Sequence, residues 1–225
     1  MAHRLLRSNL SKINRLTSVK KSESVAVKQT FEYLLIIDFE ATCQKDEALK
    51  PQEIIEFPCL AVSTTTWEVK DVFHEYIRPQ VHPVLTTYCT KLTGIIQEMT
   101  DQSQHFPDTF LNFQRWLHKS GYLENGKSTF VTCGDWDLRV MLPEQCAISQ
   151  IPIPKYFNEW INLKDSFRHA TAYHPRSLKD MLKHLNLPLC GHLHSGIDDT
   201  NNMARIIQLL GTKYQTDFRV TSVAR

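Results

Sequence analysis

Residues 33–40 read Tyr33-Leu34-Leu35-Ile36-Ile37-Asp38-Phe39-Glu40, an uninterrupted apolar run that ends in acid. Such a run is typical of a strand that is covered on both faces, so it predicts a central strand of an α/β sheet. Residues i and i+2 of a strand share a face about 6.6 Å apart, which places Asp38 beside Glu40. Two acids at the carboxyl end of a buried strand predict a site for a hard divalent cation. The alternative is a strand that emerges into water with both acids solvated.

Strands and helices alternate along the rest of the chain. Period-two patterns and β-branched residues predict a hairpin and two shorter strands, at residues 53–63, 67–77, 129–133 and 160–163. Helical periodicity predicts helices at residues 85–91, 95–99, 107–119, 138–141, 177–186 and 196–210. Strands interleaved with helices predict a layered α/β domain with a mixed sheet.

Length and composition exclude several classes of protein. The 225 residues are 42% apolar and 10% aromatic, which suffices for one domain with a sizeable core plus an appendage. No apolar run approaches the roughly 18 to 20 residues that cross a bilayer, so a membrane-spanning protein is not expected. The six cysteines are irregularly spaced without a C-x-x-C pair, which indicates reduced thiols in an intracellular protein.

The first 30 residues differ from the remainder. Six of the 26 basic residues lie in residues 1–22, which contain no acid, so the rest of the chain has 20 basic and 24 acidic residues. On a helical wheel the basic residues fall opposite the apolar ones. We expect residues 1–30 to form a basic amphipathic arm and linker that resembles an organelle presequence, with mitochondrial import as one outcome and a cytoplasmic or nuclear protein as the other. The alternative is a disordered basic tail.

A second acidic element follows the predicted strand at residues 129–133. It reads Gly134-Asp135-Trp136-Asp137, and its acids should emerge at the same sheet edge as Asp38. Helix capping by either aspartate is the alternative interpretation.

A third acidic element begins the last predicted helix. Helical spacing places Asp199 on the apolar stripe with Met203, whereas Asp198 lies on a polar stripe with Asn202 and Arg205. Asp199 is therefore expected to point inward. A shared metal site explains an inward carboxylate, because an unpaired buried charge is costly.

The acidic elements form an ordered set, with Asp38-x-Glu40 after one strand, Asp137 after another, and His194 five residues before Asp199. This set resembles that of the DEDDh exonucleases. Longer motifs resemble the Eri/Snipper branch of 3′-to-5′ exoribonucleases and, within it, the prion-protein-interacting Eri group. These motifs are Asp38-Phe39-Glu40-Ala41-Thr42-Cys43, Glu53-Ile54-Ile55-Glu56-Phe57-Pro58, Leu92-Thr93-Gly94-Ile95, Trp136-Asp137 and His194-Ser195-Gly196-Ile197-Asp198-Asp199.

The resemblance covers residues 33–210 and implies a ribonuclease H-like fold. That fold is a three-layer α/β domain with a five-stranded mixed sheet flanked by helices. We therefore expect an exonuclease domain at residues 31–212, preceded by the arm and linker and followed by a C-terminal tail at residues 213–225.

The resemblance also implies the chemistry. Asp38, Glu40, Asp137 and Asp199 match the metal-binding acids, which would hold two Mg²⁺ ions, or Mn²⁺ in their place, about 3.5 to 4 Å apart across the scissile phosphate. Glu40 and His194 match catalytic positions, with His194 as the general base. Relatives carry other small residues at the position of Asp135, so the ligand role is assigned to Asp137.

Substrate contacts follow from the same resemblance. Glu40 and Ala41 would contact the terminal nucleotide, Leu92 and Thr93 would wedge against its base, and His194 would lie at the scissile phosphate. Trp136 is a candidate base-stacking residue because it adjoins Asp137. The expected partner is RNA with a free 3′ end, or DNA, and the expected state is a monomer.

Two alternatives stay open. One is a nuclease-like scaffold that binds RNA or protein without cleaving. The other is a zinc site at Cys190-x-His192-x-His194, whose thiolate and imidazole groups are typical zinc ligands.

Overall fold

Residues 27–46 and 49–224 are described by the structure, a computed structural model. The basic amphipathic arm predicted near the N-terminus lies outside the described residues, which begin at residue 27 within the predicted linker. Within the described residues, no helix is both long enough and apolar enough to span a membrane.

One mixed sheet organises the domain. Its strands are β1 (Tyr33–Ile37), β2 (Glu40–Ala41), β3 (Ile54–Ser63), β4 (Val69–Tyr76), β5 (Ser128–Thr132), β6 (Glu159–Asn162) and β7 (Ser222–Val223). The order β4-β3-β1-β5-β6 gives the five expected strands, and β2 and β7 pair with β3 and β6. The sheet thus has seven strands instead of five. The two additional strands have two residues each, too few for a periodic pattern to reveal.

The register of the sheet brings the acidic elements together. β1 is antiparallel to β3 and parallel to β5, with Ile36 opposite Val131. Parallel neighbours point the same way, so the residues that follow β1 and β5 emerge at one edge of the sheet.

Helices cover both faces of the sheet. They are α1 (Thr87–Thr93), α2 (Gln97–Asp101), α3 (Phe106–Lys119), α4 (Leu142–Ile148), α5 (Leu163–Thr171), α6 (Leu178–His184) and α7 (Gly196–Thr212). The helix predicted at residues 138–141 is a π-helical turn (Asp137–Met141), and the prediction missed both α4, which follows this turn, and α5, whose Leu163 was placed in the preceding strand. Leu163 instead begins a helix whose N-terminus is capped by Asn162, which accepts a 3.1 Å hydrogen bond from Lys164 N–H.

Alternate residues of β1 belong to two separate cores. Leu35 and Ile37 lie in the core that contains the aromatic residues of α3. Leu34 and Ile36 lie in the core that contains the apolar faces of α6 and α7. The prediction of a central strand covered on both faces, within a three-layer domain, is confirmed.

Candidate active site

Asp38 and Asp137 follow neighbouring parallel strands. Asp38 comes directly after β1, and Asp137 begins a π-helical turn (Asp137–Met141) after β5. Oδ1 of the buried Asp137 accepts a 2.8 Å hydrogen bond from the main-chain N–H of Phe39, the residue between Asp38 and Glu40. The carboxylate of Asp137 is therefore fixed against the first acidic element.

A proline follows the π-helical turn. Pro143 stands at the start of α4 and has no N–H to donate to the carbonyl four residues before it. The N–H of the preceding Leu142 donates to the carbonyl of Asp137, five residues earlier, as in a π-helix. Such single π turns are frequent at functional sites.

Asp135 is engaged elsewhere. Its Oδ1 accepts hydrogen bonds from Trp160 Nε1 at 3.0 Å and Ser222 Oγ at 2.6 Å. Its Oδ2 pairs with Arg139 Nη1 at 2.8 Å. Oδ1 thus ties β6 and β7 to the loop after β5, and Oδ2 pairs with the turn that follows this loop, whereas Asp137 lies among the other acids.

Glu40 converges with His194 and Asp199, which lie five residues apart at the start of α7. One ligand atom of each, a carboxylate oxygen or an imidazole nitrogen, lies within 4.8 Å of the others. Oδ2 of Asp199 accepts a 2.8 Å hydrogen bond from His194 N–H, while its buried Oδ1 has no hydrogen-bond partner among residues 27–46 and 49–224. A buried carboxylate oxygen without a partner is costly, and a bound cation would satisfy it.

The pKa values show how crowded this site is. Burial, together with the carboxylates of Asp38 and Glu56, raises the pKa of Glu40 to about 10. Burial also raises the pKa of Asp137 and of Asp199 to about 6, although main-chain hydrogen bonds oppose both shifts. The pKa of Asp38 lies well above its usual range because of burial and then of its acidic neighbours. Carboxylates in this arrangement ionise readily only beside a cation, so the residues present fit a divalent metal.

Helix α7 is docked directly onto the acidic strands. A Cβ atom on Gly196 would lie 2.6 Å from the carbonyl oxygen of Asp38, so only glycine permits this approach. The fully buried carboxylate of Glu56 accepts hydrogen bonds from the N–H groups of Gly196 at 2.8 Å and Ile197 at 3.1 Å. His74 Nε2 lies 2.8 Å from the same carboxylate. Glu56 and His74 therefore fix the start of the helix that carries Asp199.

The sequence analysis gave no role to Glu56, His74 or Lys164. An acid within the apolar strand β3 was the available signal for Glu56, because such a charge needs a partner. Lys164 is a cation close to the acids, since its charge lowers the pKa of Asp38 and its Nζ would lie 3.8 Å from a Cβ on Gly134. Local pattern offered no signal for Lys164, because α5 itself was missed.

The predicted substrate-contact residues differ in their exposure. Ala41 and Thr93 are buried, Leu92 is half-buried, and Trp136 is 42% exposed beside Asp137. Helix α1 is tied to the segment after Glu40 by a 2.6 Å hydrogen bond from Thr86 Oγ1 to the carbonyl of Cys43. Leu92 and Thr93 therefore lie on a helix anchored beside β2, and Trp136 offers an exposed aromatic surface.

The zinc hypothesis is not supported by the arrangement of ligands. Across residues 27–46 and 49–224, the His, Cys, Asp and Glu side chains that could share an ion are those of Glu40, His194 and Asp199. Cys190 and His192 are exposed and lie outside this group, as do the carboxylates of Asp38 and Asp137.

Comparison with known proteins gives the family. The exonuclease family model RNase_T matches residues 35–207. The chain is 48% identical over 184 residues to ERI1 exoribonuclease 3 of Homo sapiens, which covers 81% of the chain and 54% of that protein. It is 35% identical over 203 residues to the 3′-5′ exonuclease Snipper of Drosophila melanogaster, which covers 84% of the chain and 72% of that protein. The chain thus spans about half the length of the ERI1 exoribonuclease 3 proteins.

Solved structures agree. The nuclease domain of 3′hExo, a DEDDh family member bound to rAMP, superposes with a TM-score of 0.82 at 32% identity and covers 88% of this chain and 100% of that one. A 3′-exonuclease in a study of 3′-end recognition of the histone mRNA stem-loop gives a TM-score of 0.82 at 31% identity, covering 88% of this chain and 89% of that one. Together with the family match, these similarities show that the chain belongs to the RNase_T exonuclease family, among relatives of the ERI1 exoribonucleases and Snipper.

Proposed function

We propose that this chain is a 3′-to-5′ exoribonuclease that releases nucleoside 5′-monophosphates by metal-dependent hydrolysis. The observation that carries the proposal is the buried, unpartnered Oδ1 of Asp199 within a group whose other members are Glu40 and His194. A buried carboxylate oxygen with no hydrogen bond, close to an exposed imidazole, suits a site that binds a cation and moves a proton.

The four acids, Asp38, Glu40, Asp137 and Asp199, are the proposed metal ligands. Mg²⁺ is the proposed metal, in two positions and replaceable by Mn²⁺, because all four are hard oxygen donors. Bound cations of this kind would supply the Lewis acidity that activates water and stabilises the leaving 3′ oxygen. The raised pKa values of Glu40, Asp137 and Asp199 support this assignment, since cation binding would be coupled to the loss of their protons.

His194 is the proposed general base. Its imidazole lies within 4.8 Å of the carboxylates of Glu40 and Asp199, and its side chain is exposed. A ring nitrogen in that position can accept the proton of an attacking water and pass it to solvent. Glu40 and Ala41 are proposed to hold the terminal nucleotide, with Leu92 and Thr93 against its base and Trp136 beneath a neighbouring one.

RNA is the proposed substrate. The relatives are named as exoribonucleases, and the 3′hExo structure contains rAMP. A DNA strand of the same sequence, assayed beside the RNA, measures whether DNA is also cleaved. The oligomeric state is proposed to be a monomer.

A direct test uses the full chain and a synthetic RNA labelled at its 5′ end, with and without Mg²⁺. The expected result is a ladder of products shortened from the 3′ end, with nucleoside 5′-monophosphates released. A circular RNA of the same sequence should survive, because it has no 3′ end. The scaffold alternative would be favoured if the unmodified chain binds the linear RNA without cleaving it and the Asp199→Asn variant does the same.

The basic segment before the described residues is proposed to direct the protein within the cell. At least 16 residues separate each of its six positive charges from Asp38, the first proposed metal ligand. The cytoplasm or the nucleus is the proposed location, and import into mitochondria through this segment is the alternative.

A further inference from the structure

The loop before α7 is exposed at its surface and held from beneath by one buried amide. Asn202, in the second turn of α7, is fully buried. Its Oδ1 accepts a 3.1 Å hydrogen bond from Cys190 N–H, and its Nδ2 donates to the carbonyl of Cys190 at 2.8 Å. Nδ2 also donates to the carbonyl of Asp198 at 2.9 Å, so the amide joins the loop to the helix.

The neighbouring side chains of the polar stripe attach the same loop at two more points. Oδ2 of Asp198 accepts a 2.8 Å hydrogen bond from His192 N–H. Gly191 lies directly over this carboxylate, with φ of 77°, and a Cβ there would come 2.2 Å from the Asp198 carboxyl carbon. At the far end of the loop, Arg205 Nη1 donates to the carbonyl of Pro188 at 2.7 Å.

His194 stands at the end of this loop in a conformation that needs support. Its φ is 65°, in the left-handed region that a side chain with a Cβ rarely adopts. Such residues persist where the surrounding structure fixes them. The hydrogen bond from His194 N–H to the carboxylate of Asp199 fixes one side of the residue. The hydrogen bonds of Cys190 to Asn202 and of His192 to Asp198 fix the loop that precedes it.

We propose that Asn202 is a positioning residue for His194. By holding both main-chain groups of Cys190, it keeps the loop in the path that presents the imidazole to Glu40 and Asp199. This inference rests on the proposed function, in which His194 is the general base. The side chain of Asn202 bonds the main chain of Cys190 and Asp198 and the side chain of Arg205. None of these residues is a proposed metal ligand, and we assign the effect of Asn202 on the reaction to the loop that it holds.

The first expected result is a reduced turnover with unchanged substrate affinity. Asn202→Ala should lower kcat on a short RNA by about 10- to 100-fold, as is typical when a supporting residue behind a reacting group is removed. KM for the RNA should stay within about twofold, because the acids and the nucleotide-binding surface are untouched.

A double-mutant cycle separates positioning from general damage. We would measure kcat for the unmodified chain, Asn202→Ala, His194→Ala and the double variant. If Asn202 acts through His194, the double variant should be no slower than His194→Ala alone. Multiplying losses would overturn the inference, because they would mean that Asn202 supports the site by another route.

Asn201→Ala is the matched control. Asn201 occupies the adjacent position, and its Nδ2 donates only within the helix, to the carbonyl of Ile197 at 2.7 Å. Turnover should stay near that of the unmodified chain. Asn202→Asp keeps the size of the side chain and its acceptor but loses the donor to Cys190, so its turnover should also be slow. This variant replaces Asn202→Ala in the cycle if Asn202→Ala does not fold.

The possible failures are distinguishable. If His194→Ala is slow while Asn202→Ala and Asn202→Asp both keep normal turnover, this inference is overturned. The proposed function would then stay intact. A His194→Ala of normal turnover would overturn the assignment of His194 as the base, and the inference with it.

Discussion

The main-chain N–H of Phe39 donates a 2.8 Å hydrogen bond to Oδ1 of Asp137, across 98 residues of sequence. This bond joins the segment that carries Asp38 and Glu40 to the turn that follows β5. It assigns different tasks to two aspartates that are only two residues apart, because the carboxylate of Asp135 binds Arg139, Trp160 and Ser222 instead.

Exchange of each aspartate tests this division. Asp137→Ala should abolish trimming of a labelled RNA while the protein stays folded. Asp135→Asn should keep the rate of trimming within about tenfold of the unmodified chain. It should weaken hydrogen bonds that each contribute roughly 1 to 3 kcal/mol to the free energy of unfolding. Every 1 kcal/mol lost lowers the melting temperature by about 2 to 4 °C. Gel assays and thermal melts of both variants measure the two effects. Normal trimming by Asp137→Ala with loss in Asp135→Asn would reverse the assignment.

The stability of the metal-free protein should fall as pH rises. The raised pKa values mean that the folded chain still binds protons that the unfolded chain has released. This difference begins near pH 4 and extends to about pH 6 at Asp137 and Asp199, and to about pH 10 at Glu40. Where the folded state binds more protons than the unfolded state, a rise in pH lowers the free energy of unfolding. Thermal melts in a chelator between pH 4 and pH 9 measure this trend.

Asp199→Asn is the control for that experiment, since it removes one ionising group without changing the size of the side chain. Without metal, its melting temperature should increase relative to that of the unmodified chain as pH rises from 4 to 7. Added Mg²⁺ or Mn²⁺ should stabilise the unmodified chain, and more strongly at pH 8 than at pH 5, because the ionised carboxylates bind cations. An identical pH trend for the two proteins would contradict the raised pKa of Asp199.

Trp136 should contribute to RNA binding rather than to stability. The ring is 42% exposed beside Asp137, and stacking of a base on an aromatic side chain is worth about 1 to 3 kcal/mol. Trp136→Ala should therefore raise KM for RNA by roughly 5- to 150-fold. Val140→Ala, in the same turn and 38% exposed, is the control and should leave KM unchanged. Equal KM values for Trp136→Ala and the unmodified chain would exclude the stacking role.

Removal of the basic arm should leave turnover of short RNA unchanged when the deletion ends at residue 26. A deletion through residue 30 should also destabilise the domain, because Gln29 bonds the carbonyl of Thr216 at 2.9 Å and the N–H of Phe218 at 3.1 Å. If the arm binds phosphates, its loss should flatten the dependence of RNA affinity on salt. A reporter fused to residues 1–26 tests import, and its even distribution through cytosol and nucleus would count against a presequence.

The sequence by itself determined the central strand, the alternation of strands and helices, and the inward direction of Asp199. Each of these depends on spacing within one element, where residues two apart in a strand or three to four apart in a helix share a face. The run from Tyr33 to Ile37 and the stripe through Asp199 and Met203 are local patterns of this kind. They sufficed for the fold class, although not for the two-residue strands or for α5.

The tertiary structure alone decided what the remaining polar groups do. The polar stripe through Asp198, Asn202 and Arg205 looks the same in sequence whether it faces water or the main chain of a loop. Likewise, no local pattern pairs Glu56 with a helix N-terminus 140 residues away. Hydrogen-bond partners distant in sequence are brought together only when the sheet and helices pack, so the supports behind His194 and Asp199 became visible only in the folded chain.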